Sequence, residues 1–271
     1  MDISFSTMFF HDSDLEEIFH AGNECGADTL EFWLETPDFW LNDLPLKKLQ
    51  KAIEYYHPTC PLSVHAPVLD LNPCSINPDV RKVSVMWIER SIRLAEEIGA
   101  SVCTIHPGRR TAKRSPTITD YKRLGNMLDV IEPLAESVQV KVAIENMEPA
   151  VNALLTLPEE MMTLLEGRPW LWFTFDVAHA MRHGVAISGA FLQIKERIAN
   201  IHISGSAAER MHGLISQDRV TTTFLKDIQK SGYNNQLTLE LNDLVLSKPL
   251  DYQEKVRVMK EEINWVRMNL Q

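Results

Sequence analysis

The sequence predicts a (β/α)8 barrel, the TIM-barrel class, built as one domain over residues 1–271. Three observations predict it. Short apolar runs alternate with longer amphipathic ones from end to end, and the alternation repeats eight times. The short runs read as near-continuous apolar strands, as in a parallel sheet covered on both faces. No linker, close repeat or low-complexity tract divides the chain, and eight βα units in about 250 residues is the size of one such barrel.

Residues 2–7 (DISFST) read as the first strand, and 14–26 (DLEEIFHAGNECG) as a helix opened by an acid and closed by Gly26. Residues 29–35 (TLEFWLE) are the second strand and 44–56 its helix. The third strand, 61–67 (PLSVHAP), is followed by a loop and the helix 77–99; the fourth, 101–108 (SVCTIHPG), by the helix 117–138. Then come 139–147 (QVKVAIENM) with 156–167, and 171–176 (LWFTFD) with two short helices, 177–184 and 188–198. The seventh strand is 199–205 (ANIHISG) with helix 221–232, and the eighth 235–242 (NQLTLELN) with helix 251–270. A doubly wound open sheet normally carries a Gly-rich phosphate loop after its first strand; STMFFHDSD at 6–14 has none.

Composition narrows the function classes. Hydrophobic residues make up 45% and charged ones 24%, the balance of a soluble globular protein. Lys+Arg 27 against Asp+Glu 37 gives a net charge of −10, which disfavours non-specific nucleic-acid or membrane-surface binding. No apolar run reaches the roughly 18 residues of a membrane span. Cys25, Cys60, Cys74 and Cys103 form no C-x-x-C pair, and the N-terminus opens directly on a strand, so reduced thiols in a cytoplasm are expected.

In such barrels the chemistry sits at the carboxyl ends of the strands. From the second strand on, those ends carry Glu31, His65, His106, Glu145, Asp176 (with His179 one helical turn beyond), His202 and Glu240. Any one of these has an ordinary structural reading, such as a helix cap or a bond to a loop. Together they bring acids and imidazoles to one small mouth. Packed carboxylates repel unless a cation lies between them, so the pattern points to a divalent metal.

The set HAP at 65–67, HPG at 106–108, IEN at 144–146, FDVAHA at 175–180, IH at 201–202 and LEL at 239–241 resembles the xylose-isomerase-like barrels over essentially the whole chain. That superfamily includes sugar and sugar-phosphate isomerases and epimerases, inosose-type dehydratases and the endonuclease IV group. The resemblance implies a shared metal site on Glu145, Asp176, His202 and Glu240. In the nuclease branch it implies further zinc ligands at His65, His106 and His179, with an Asp-x-His pair after strand seven. Here that segment reads AERMHGLISQD: His212 takes the His place, Arg210 stands where the Asp belongs, Glu209 is one residue out of register, and the usual Gly-Glu-Gly is replaced.

The four-residue set is oxygen-rich with one imidazole, which suits Mn2+ or Mg2+ and also accepts Zn2+ or Co2+. The expected activity is metal-dependent isomerisation or epimerisation of a small sugar or sugar phosphate through an enediolate, with Glu145 and Glu240 carrying the proton. The alternative is a zinc-dependent abasic-site nuclease. A barrel that only binds a ligand is disfavoured by the intact ligand set. After His106 the chain runs PGRRTAKRSP, and Arg109, Arg110, Lys113 and Arg114 form a basic loop on the catalytic face. Arg109 and Arg110, with Arg210 and Glu31, are expected to bind substrate; Arg182 and Arg219 are further candidates. Trp33, Phe39 and Trp40 after strand two suit either a sugar ring or loop packing. A small phosphorylated or acidic substrate fits this single loop better than a nucleic-acid duplex does.

Overall fold

A computed structural model describes residues 1–206 and 211–270. Its eight strands close in chain order into a parallel barrel: β1 Asp2–Ser6, β2 Thr29–Trp33, β3 Ser63–His65, β4 Val102–Ile105, β5 Lys141–Glu145, β6 Trp172–Asp176, β7 Ile198–Ile203 and β8 Gln236–Leu239. The (β/α)8 class and the order of its units are those the sequence predicts. No described helix is long and apolar enough to cross a membrane.

Helices cover the outside: α1 Leu15–Cys25, α2 Pro37–Leu41, α3 Leu46–Tyr56, α4 Pro78–Glu97, α5 Ile118–Ser137, α6 Pro158–Glu166, α7 Val177–Met181, α8 Val185–Phe191, α9 Arg219–Ser231 and α10 Tyr252–Asn269. Their ends follow local chemistry. Asp14 accepts the Glu17 N–H while Glu17 accepts the Asp14 N–H, and Gly26 closes α1 at φ 72°. Asp251 and Glu254 repeat the reciprocal cap at α10. Two details depart from expectation. The chain turns into the short helix α2 directly after β2, and the stretch before β7 is a 3-10 segment, Leu192–Arg197. The first is too short to show a helical period in the sequence, and the second is the later part of the helix expected over 188–198, which tightens into a 3-10 turn from Leu192.

The strands are two-faced. Phe5, Leu30, Phe32, Val64, Cys103, Ile105, Ile144, Phe173, Phe175, Ile201, Leu237 and Leu239 are all buried, and together with buried side chains of the helices they form one continuous core. The alternate positions are mostly polar. Thr104 and Thr174 join through their hydroxyls at 2.9 Å. The Gln236 amide donates to Ser63 Oγ and Thr238 Oγ1, and the Thr238 hydroxyl donates to Asn200 Oδ1. Only Val102, Ala143 and Ala199, with Trp172 packed against them, form a separate small apolar cluster. The barrel is thus held from outside by apolar packing, while its interior is a hydrogen-bonded frame.

Candidate metal centre

Register places the ligands. Glu145 is the last residue of β5 and Asp176 the last of β6; Asp176 lies opposite His202 of β7, and the Glu240 N–H extends the ladder beyond β8 to Ile203 O. Each of Glu145, Asp176, His202 and Glu240 is buried, and each offers a ligand atom within 4.8 Å of the others'. Two more groups meet the same criterion: His65, His106 and Glu145, and Asp176, His179 and His212. Glu145 belongs to two groups, as does Asp176.

Glu145 Oε2 lies 3.1 Å from His106 Nε2 and 3.4 Å from His65 Nε2, and its Oε1 lies 3.4 Å from His179 Nδ1. Glu240 Oε2 lies 3.3 Å from His202 Nδ1 and 3.5 Å from His212 Nδ1. Yet Asp176 Oδ2, His202 Nδ1 and Glu240 Oε2 are buried without a hydrogen bond among the described residues. Buried polar atoms rarely go unpaired, and three of them around one point fit a bound cation. The residues present therefore suit a divalent ion.

The supporting residues fix ring orientation. His65 Nδ1 pairs with Ala66 O at 2.8 Å and His179 Nδ1 with Asn146 O at 2.9 Å, which leaves each Nε2 for the mouth. Asn146 accepts the Asp176 N–H and donates to Asp176 O, locking the ends of β5 and β6 together. Asp176 Oδ1 accepts the His179 N–H at 2.7 Å. His212 sits at φ 61° beside the Gly205–Gly213 bridge, where a Cβ on Gly205 would stand 2.7 Å from Leu214 O.

Electrostatics follow the crowding. Burial pushes Glu145 and Glu240 upward, but neighbouring imidazoles (His106 and His202 for Glu145, His202 and His212 for Glu240) hold both well below the usual carboxylate range. Burial raises Asp176 to about 6, with Glu240 and Glu145 adding to the effect and His179 opposing it. Burial works against protonated His65, yet Glu145 and Glu31 raise it to about 9. His202 rises well above its ordinary value against burial, through Glu31, Glu240 and Glu145. His179 rises likewise, through Asp176 and Glu145, whereas burial, with the charges of His65 and His179, takes His106 down. Without a metal, protons on imidazoles balance the carboxylates.

The residues expected to bind substrate stand at different depths around the mouth. Glu31 is the middle residue of β2, not its end, and it is fully buried beneath the mouth. Its Oε2 meets His202 Nε2 at 3.0 Å and accepts from the Asn200 amide at 2.9 Å, which places it directly behind His202. Arg110 is drawn to the Ser115 carbonyl and lies beside Asp120, which it helps hold ionised. Arg109 is exposed on the loop next to His106. Arg210 lies outside the described residues. Phe39 is core, Trp40 packs on the Trp87 ring at 4.4 Å, and Trp33 is largely buried beside His11. The sequence reading missed Asn146 and Asn200. Asn146 stands next to Glu145, and Asn200 lies two residues before His202 on the same strand face, which was the available signal.

The chain matches the family described as "Xylose isomerase-like TIM barrel" over residues 19–267. It is 32% identical over 273 residues to the uncharacterized protein MJ1188 of Methanocaldococcus jannaschii, covering 98% of each chain. A probable endonuclease 4 of Persephonella marina is 27% identical over 130 residues, 47% of this chain and 44% of that one. A solved D-tagatose 3-epimerase-like protein superposes with a TM-score of 0.76 over 100% of both chains, at 23% identity. The ligand-bearing strand ends and these matches lead to one conclusion: the chain belongs to the xylose isomerase-like TIM barrel family.

Proposed function

We propose that the protein is a divalent-metal-dependent isomerase or epimerase of a small sugar or sugar phosphate. The observation that carries this reading is the convergence of Glu145, Asp176, His202 and Glu240, three of them with an unpartnered buried atom. The likeness to a D-tagatose 3-epimerase-like protein supports it. Glu145, Asp176, His202 and Glu240 would hold Mn2+ or Zn2+, with Mg2+ or Co2+ as substitutes. Once bound, such an ion supplies Lewis-acid polarisation of a carbonyl and its neighbouring hydroxyl.

The chain's own residues do the rest. Glu145 and Glu240 come from strands three places apart around the barrel, and their neighbours hold both carboxylates ionised. One accepts the proton on the carbon next to the carbonyl, leaving an enediolate; the other first takes up a proton, from water or a substrate hydroxyl, and passes it to that carbon or its neighbour. The outer imidazoles keep these carboxylates oriented, and the depth of the site limits water.

A second reading has its own observation. The groups His65–His106–Glu145 and Asp176–His179–His212 adjoin the central one and share its carboxylates, an arrangement suited to several zinc ions and phosphodiester hydrolysis. Turnover of a ketose or ketose phosphate in D2O separates the two. Deuterium on the carbon next to the carbonyl, lost in Glu145→Gln by about a hundredfold or more, is the expected result, with no incision of an abasic-site duplex. Efficient chelator-sensitive incision without deuterium uptake would establish the nuclease instead.

A further inference from the structure

A cavity of about 140 Å3 opens beside the metal centre, and His106 forms part of the wall between them. Its floor is apolar, from Pro67, Leu71 and Ile88. Arg109, Asn152 and Glu148 supply its polar lining.

The backbone that carries Arg109 is clamped on two sides. Asn72 accepts the Arg109 N–H at 3.0 Å and donates to the Arg109 carbonyl at 2.9 Å. The Arg110 N–H donates to Asn152 O at 2.9 Å, and the Asn152 amide donates to Arg110 O at 2.8 Å. Gly108, at φ 75°, presses so close that a Cβ would lie 2.7 Å from Asn72 Oδ1. Three βα loops are thus tied together to fix one backbone position. The side chain held there makes no ion pair or hydrogen bond among the described residues, unlike that of Arg110, which Ser115 and Asp120 engage. An exposed guanidinium on a fixed backbone position, without a protein partner among the described residues and at a cavity that shares a wall with the metal centre, is placed to meet an anion from outside.

We propose that this cavity is the anion subsite of the substrate pocket: Arg109 binds a phosphate monoester or carboxylate carried by the small-molecule substrate, and Arg110 does not. The proposal rests on the sugar reading above and adds the substrate class. Glu148 lines the same cavity and opposes an anion there, so its neutralisation strengthens binding.

Titration calorimetry on chelator-treated protein tests the subsite without turnover, with inorganic phosphate, fructose 6-phosphate, glucuronate and fructose as probes. Fructose 6-phosphate is expected to bind more tightly than fructose. Arg109→Ala should weaken it at least tenfold, Arg109→Lys less, and Arg110→Ala less than twofold; Glu148→Gln should tighten it. A matching loss for glucuronate marks the group as any anion, and a loss for phosphate alone as a monoester; either supports the subsite. Equal binding by Arg109→Ala and wild type overturns it. So do equal losses in Arg109→Ala, Lys113→Ala and Arg114→Ala, which mark a diffuse surface field, and tight capture of an abasic duplex through Arg109 in place of the small anions. Arg109-dependent binding without deuterium uptake by any sugar would sink the isomerase reading and leave the subsite standing.

Discussion

At the scale of single residues, Glu31 shows how a buried charge is put to use. Its Oε2 holds His202 Nε2, so that Nδ1 faces Glu145 and Glu240. A carboxylate behind a ligating imidazole fixes its tautomer and raises its basicity, and losing it typically costs 10–100-fold in metal affinity. Glu31→Gln keeps the volume and removes the charge. We expect the affinity for Mn2+ or Zn2+ to fall by about 10–100-fold while the circular dichroism spectrum stays unchanged; an affinity equal to wild type would show that Glu31 does not act through His202. Glu31 was legible as an acid on an apolar strand, but its role was not. Whether it lies at the mouth or below depends on register, here Glu31 opposite Ser63 and Trp33 opposite His65, and no local pattern in the sequence states register.

At the scale of elements, the two faces of each strand do different work. Phe175 is fully buried on the outer face, with its ring 5.3 Å from Phe191 and 5.8 Å from Phe173. Phe175→Ala should cost about 3–5 kcal/mol in denaturant unfolding, the price of a large cavity between barrel and helices. A loss under 1 kcal/mol would mean that this layer does not carry the stability assigned to it. The neighbouring residue Asp176 points the other way, into the site, and its loss acts on metal binding first. This period of two made the strands legible: TFDVAHA shows both the apolar beats and the residues that interrupt them. The helix α2 was not legible, because it ends before a 3.6-residue period can declare itself, and the 3-10 segment before β7 was legible only as part of one helix over 188–198.

At the scale of the whole molecule, protons and a divalent cation would compete for one cluster. His65 has its pKa raised to about 9, from an ordinary value of 6.5. A group raised in the folded state contributes stability in full below its unfolded value and loses it as pH rises through the folded one. Metal-free protein should therefore lose the His65 contribution between pH 6.5 and about 9. His65 owes its raised pKa in part to Glu145, 3.4 Å away, so a cation bound at Glu145 would replace that proton's charge and stabilisation by metal should grow over the same window. The gap in Tm between metal-loaded and chelator-treated protein is expected to widen from pH 6.5 to 9; a constant or narrowing gap would contradict the proton–metal exchange. The barrel and the residue types at its mouth could be read from strand ends alone. Which side chains meet came from the resemblance and not from the strand ends, since His65, His179 and His212 come from separate loops and strands that only closure brings together.

The sharing of Glu145 and Asp176 between neighbouring groups would make occupancy by more than one ion a collective property. A carboxylate turned toward one position would already be committed when the next is filled. Affinities at adjoining positions are then linked, and the linkage is reciprocal: whatever the first ion does to the second, the second does equally to the first. Loading should be ordered rather than statistical, and a chelator should strip the centre in steps, taking the outer positions before the one enclosed by four ligands.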